Sequence, residues 1–140
     1  MPLDLSSLRS QLRAVVQQLH DLCDTFFARE PLLPGSLYTL RRRCGKPTCH
    51  CAHGTPHAST VLSYRGQGRP QNITPAPEQL PDLRHLTDAY RRFRQARSQL
   101  LRLQRQLLTL VDRLAEARVH EGQRRWQQLR AATSPTRPRR

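Results

Sequence analysis

Between Leu86 and Ala117 apolar residues recur on a seven-residue grid. Leu86, Phe93, Leu100, Leu107 and Leu114 hold one position of the repeat, and Ala89, Ala96, Leu103, Leu110 and Ala117 the position three residues on. An apolar seam sustained this long is the pattern of a long helix that packs lengthwise on another helix. Pro75, Pro77 and Pro81 set its start near Asp82, and Glu121 and Gly122 break the seam. With helix-forming residues continuing to Ala131, the expected length is on the order of 70 Å.

A second, shorter seam lies at the other end of the chain. Leu5, Leu8, Leu12, Val15, Leu19, Leu22 and Phe26 alternate at steps of three and four, and Val16, Cys23 and Phe27 widen the stripe. This predicts a helix over Asp4 to Arg29, ended by Pro31, Pro34 and Gly35. Two seams need partners. The N-terminal helix is expected to lie antiparallel on the first half of the long helix, and the seam left over favours a homodimer through the coiled helices.

The segment between the helices has strand character. Leu37 to Leu40, the β-branched and aromatic run Ser59 to Tyr64, and Gln71 to Thr74 read as short strands, with Gly66, Gln67 and Gly68 as a turn. Pro70 places the last strand at an edge. The expected architecture is mainly α with a small β zinc module: an N-terminal amphipathic helix (1–33), a basic β module built as a hairpin or three-stranded sheet (34–74), a long coiled-coil helix (75–131) and a disordered basic tail (132–140).

Charge sharpens this division. The chain of 140 residues carries a net charge of +14, with 24 basic residues against 10 acidic ones. Met1 to Ser36 is close to neutral, whereas Leu37 to Asn72 holds Arg41, Arg42, Arg43, Lys46, Arg65 and Arg69 and no acid. Arginine is always charged and matches phosphate geometry, so such a balance points to a polyanionic partner. A second basic cluster, Arg91, Arg92 and Arg94, lies on the long helix beside Tyr90 and Phe93. Trp126, next to Arg124 and Arg125, lies beyond the seam break. No apolar stretch reaches the ~18 to 20 residues that span a bilayer. The N-terminus lacks the pattern of a secretory signal, so a cytoplasmic location without membrane association is expected.

In a reducing compartment clustered cysteines argue for metal chemistry over disulfides. Cys44, Cys49 and Cys51 fall within eight residues, among Gly45, Pro47 and Gly54, which let the backbone curl. With His57 the spacing is C-x4-C-x-C-x5-H. With His53 it is a tighter C-x4-C-x-C-x-H, and Cys23 is a distant alternative. A tetrahedral Cys3His site for structural zinc is the expectation, with His57 favoured as the fourth ligand. No Asp or Glu lies between Pro31 and Pro77. Hydrolytic or deaminase chemistry, which relies on a carboxylate proton shuttle, is therefore disfavoured. No Ser-His-Asp set, carboxylate pair or phosphate loop is evident, so no enzymatic activity is expected.

The run Pro34-Gly35-Ser36-Leu37-Tyr38-Thr39-Leu40, the following Arg41-Arg42-Arg43-Cys44-Gly45-Lys46-Pro47, the pair Cys49 and Cys51-Ala52, then His57 and Leu62-Ser63-Tyr64-Arg65, resemble a family of short bacterial proteins of unknown function. Tyr90-Arg91-Arg92-Phe93-Arg94 extends the resemblance, which covers roughly residues 34 to 110. In that family the corresponding His is followed by Gly-Pro-Tyr, whereas Ala58-Ser59-Thr60 follow His57 here. Members are often encoded near transposases and other mobile elements. The resemblance therefore implies association with DNA or a guide RNA.

Together these readings point to a small zinc-stabilised nucleic-acid-binding accessory protein of a mobile element. DNA is favoured as its target and RNA is possible, with Arg41, Arg42, Arg43, Lys46, Arg65, Arg69, Arg91, Arg92 and Arg94 as phosphate contacts. The alternative is a coiled-coil adaptor for a larger nuclease or transposase.

Overall fold

A computed structural model describes residues 4–133. Helix α1 spans Leu5–Phe27, strand β1 Gly35–Arg42, strand β2 His57–Gly66, strand β3 Arg69–Ile73 and helix α2 Leu80–Thr133. The expected order of elements is the observed one. The strands are longer than their apolar centres alone indicated, because backbone pairing continues through polar residues to both ends of β2. Ala132 and Thr133, assigned to the tail from sequence, close α2; the rest of that tail lies outside the described residues. Among the described residues no helix is long and apolar enough to cross a membrane.

The chain divides into two compact units. The first takes in α1 up to Asp24 and α2 from Ser98 onward. Each helix buries one stripe here: Leu8, Val15 and Leu22 on α1, and Leu103, Leu110 and Ala117 on α2. The other seam positions, such as Leu12 and Leu107, are half-buried. Most of α1 belongs with α2 from Ser98 onward, which lies further along the helix than its opening turns, and the seam is buried as far as Ala117 within a single chain. From Arg118 to Thr133 every residue is exposed.

The second unit runs from Thr25 to Arg97. Its sheet is antiparallel in the order β1-β2-β3. The register pairs Leu37 with Leu62 and Leu62 with Ile73, so these three form one apolar row across the sheet. Leu62 and Ile73 line a cavity with Pro75 and Leu83, at the start of α2. The link after α1 is held to α2 by three kinds of contact. Phe26 meets Phe93 edge to face at 5.3 Å, the Leu33 amide donates to the Leu86 carbonyl at 3.2 Å, and Glu30 accepts from Arg92 at 3.2 Å and lies 3.4 Å from His85.

Strands β2 and β3 are joined by two residues, Gln67 and Gly68, with φ of 52° and 77°. Both angles are left-handed, the requirement of the tight hairpin turn whose twist matches the strands. Glycine meets it without strain, whereas glutamine does not. Gln67→Asn is expected to raise the unfolding free energy by about 0.5 kcal/mol, because asparagine tolerates this region better. Leu103→Ala, which opens the helix seam, is expected to cost about 2 to 3 kcal/mol. Urea titrations followed by circular dichroism check both values.

Candidate metal centre

The register that builds the sheet also builds the site. Arg42, the last residue of β1, pairs with His57, the first of β2. The chain therefore leaves one strand and returns to its neighbour at almost the same point. Cys44 follows the exit by two residues and His57 marks the return. The intervening loop folds back so that Cys49 and Cys51 meet them. Gly45 takes φ of +79°, a left-handed bend open to glycine. The Cys49 amide then donates to the Lys46 carbonyl at 3.1 Å, and the Ala52 amide to the Cys49 carbonyl at 3.0 Å. These turns, with the short 3-10 helix His50–Ala52, aim both thiols the same way.

One ligand atom from each of Cys44, Cys49, Cys51 and His57 lies within 4.8 Å of all the others. The Cys44 and Cys51 sulfurs are 3.5 Å apart, and Cys49 Sγ lies 3.1 Å from His57 Nε2. Tetrahedral bonds of about 2.0 to 2.3 Å place neighbouring donors roughly 3.3 to 3.8 Å apart. The four side chains are thus compatible with one small ion at their centre. Three sulfurs and one imidazole are the donor set of structural zinc. Of the two histidines left open by spacing, the structure brings His57 into the group and leaves His53 out. Cys23, exposed on α1, is not part of it.

The surroundings favour thiolate at Cys44 and oppose it at Cys51. The Cys44 thiol is drawn down to about 6, first by hydrogen bonding with the Lys46 backbone, then by the His57, Cys51 and Cys49 side chains. Cys51 is fully buried. The Cys44 amide, 3.4 Å from its sulfur, pulls its pKa down. Burial and the adjoining Cys49 and Cys44 thiols outweigh that pull, so the pKa rises. A cation at the centre removes this conflict, because three thiolates around a divalent ion leave a net charge of only −1.

The arginines expected to bind phosphate are placed unevenly. Arg41 and Arg42 are exposed at the end of β1 beside the centre. Arg43 has left the strand, and its guanidinium donates to the Cys51 carbonyl, so it braces the metal loop. A cavity beside the centre is lined by Arg42, Arg43, Cys44, His57 and Ser59. Arg65 and Arg69 sit at the opposite end of β2, next to the hairpin turn. Between Ala58, which faces Arg41, and Arg65 the strand covers roughly 23 Å. The basic residues of the sheet therefore form two clusters, one at each of its ends. On α2, Arg91 lies 3.3 Å from Asp88 and Arg92 is tied to Glu30. What sequence reading missed is His50. Its ring packs edge to face on His57 at 5.0 Å, and its Nδ1 lies 3.8 Å from Cys49 Sγ. Only its place directly after Cys49 hinted at this.

The purified chain is expected to hold one zinc ion, counted by elemental mass spectrometry against protein concentration. Cys44→Ser, Cys51→Ser and His57→Ala should each lower metal affinity at least about tenfold, whereas His53→Ala leaves it unchanged. Loss of zinc from the His53→Ala variant alone would reassign the fourth ligand.

No curated protein and no solved structure matches the chain. Among family models, that of a domain of unknown function, DUF6788, matches residues 5–85. The matched span takes in α1, the whole sheet, all four grouped side chains and the opening turns of α2. The chain belongs to the DUF6788 family.

Proposed function

We propose that this protein is a zinc-stapled nucleic-acid-binding accessory factor, with its phosphate contacts at the metal end of the sheet. The observation that carries the reading is electrostatic. The module from Leu37 to Asn72 has six basic residues and no acidic one. Arg41, Arg42 and Lys46 are exposed beside a loop that a bound ion would make rigid. Fixed cations lose less conformational freedom on meeting a phosphate than cations on a flexible segment. Arg65 and Arg69 add a second contact point roughly 20 Å or more along the strand, a span that suits successive phosphates of an extended backbone or duplex. Arg91 and Arg92 take a smaller share, since Asp88 and Glu30 already sit against them. Service to a mobile element, with a nuclease or transposase as the larger partner, follows from the resemblance noted in the cysteine motif and is part of the same proposal.

Nothing in this reading needs a chemical step from the metal. Its service is to fix a loop that lacks a core of its own, and to hold Arg43 against the Cys51 carbonyl. DNA is favoured over RNA as the target.

Fluorescence anisotropy with labelled DNA and RNA of equal length tests the proposal. Affinity should fall steeply with salt, and Arg41→Ala or Arg42→Ala should each flatten the log-log slope by about 0.9 on a duplex. Removing the metal should weaken binding more than either single substitution. Absence of binding to either nucleic acid at about 50 mM salt would sink the reading, since the electrostatic contribution is strong there.

A further inference from the structure

Helix α2 carries a second apolar stripe, separate from its buried seam. Leu108, Val119 and Trp126 are 63%, 56% and 61% exposed, although each is large and apolar. Leu101, Val111 and Leu129 are exposed with them. At 3.6 residues per turn these six fall within an arc of about 80°, roughly a third of a turn from the seam. All lie in the unit that holds α2 from Ser98 onward. A contiguous apolar surface of this kind marks a contact site. Its far end needs one physically. The segment from Arg118 to Thr133 is exposed throughout, whereas helices in proteins draw most of their stability from packing an amphipathic face.

We propose that this stripe is the contact surface for a second copy of this chain, the two α2 helices running antiparallel with Ala115 at the two-fold centre. The spacing of the stripe is its own reverse. Counted from Ala115, the residues on this face stand four, seven, eleven and fourteen positions away in both directions. Antiparallel pairing sets Val111 against Val119, Leu108 against Gly122, Gln104 against Trp126 and Leu101 against Leu129. Large meets small where it must. Leu108 faces the one glycine in α2, and Ala115 meets its own copy at the closest approach.

Gly122 supports the same partner independently. Glycine inside a helix is unfavourable, and a Cβ built at this position would meet nothing within 4 Å among the described residues. None of the described residues of one copy accounts for its small size, whereas an opposing Leu108 does. The stripe covers about 42 Å of helix, and pairing two of them buries on the order of 1,500 Å², the range of specific interfaces. The pairing also brings Asp112 toward the copy's Glu116, and it joins two chains of net charge +14. Salt screens both repulsions, so association should strengthen as salt rises. The proposal stands apart from what the basic module binds, and binding to nucleic acid has the opposite salt dependence.

Sedimentation equilibrium of the zinc-loaded full chain, from about 5 to about 200 μM, tests it. The expected species has twice the 16.2 kDa chain mass. Leu108→Glu, at an exposed position, should raise the dimer dissociation constant at least about tenfold while the helical circular dichroism of the monomer persists. Gly122→Leu should also weaken association, although it favours the helix of a single chain. The size-exchanged double variant Leu108→Ala with Gly122→Leu should recover it. A monomer across the whole range would overturn the proposal. So would a dimer that tolerates Leu108→Glu, or one that Gly122→Leu strengthens.

Discussion

The pairing of Arg42 with His57 is the constraint on which the sheet unit depends. It closes the long loop between β1 and β2 at its base, and loop closure carries an entropic cost that the loop's own contacts do little to offset. Apart from Cys51, the residues from Arg43 to Pro56 are half-buried or exposed, so the hydrophobic effect contributes little there. Four donor groups are placed so that one ion between them would replace the missing core. Binding energy at such a site is folding energy, and it acts on the segment with the least apolar surface to bury.

The metal loop also explains how so basic a module tolerates its own charge. Arg41, Arg42, Arg43 and Lys46 are crowded into six positions without an acid nearby. Zinc held by the Cys3His group would leave a local counter-charge at its thiolates, and Arg43 adds a hydrogen bond to the carbonyl of Cys51. Charge on the sheet is thereby divided by role. One arginine holds the loop, while its two predecessors on β1 stay exposed. Asp88 on α2 and Glu30 in the link after α1 serve the same balancing purpose for Arg91 and Arg92.

Much of this was legible in the sequence, for identifiable reasons. Heptad spacing is local information, and it gave both helices and nearly all their buried positions. The cysteine cluster was legible because metal ligation restricts residue type and spacing together. His57 over His53 needed the structure, since only strand register brings His57 to the base of the loop. The separation of the arginines also needed the structure. Alternation along a strand says which side a residue takes, not how far apart two residues of a hairpin lie. Arg41 pairs with Ala58 near the start of the ten-residue β2, and Arg65 lies near its end.

The second stripe on α2 was hidden in plain composition. Its members from Leu101 to Ala115 follow a seven-residue grid offset by one from the main seam, and the step to Val119 breaks that grid. A periodicity search finds the stronger seam and assigns the rest to flanks. Burial separates the two, because α1 occupies the seam only as far as Ala117 and leaves the other stripe in water. A helix with two apolar stripes roughly a third of a turn apart presents surfaces to two neighbours at once. The first neighbour is in the same chain, and the reverse symmetry about Ala115 is the physical reason to identify the second with another copy of it.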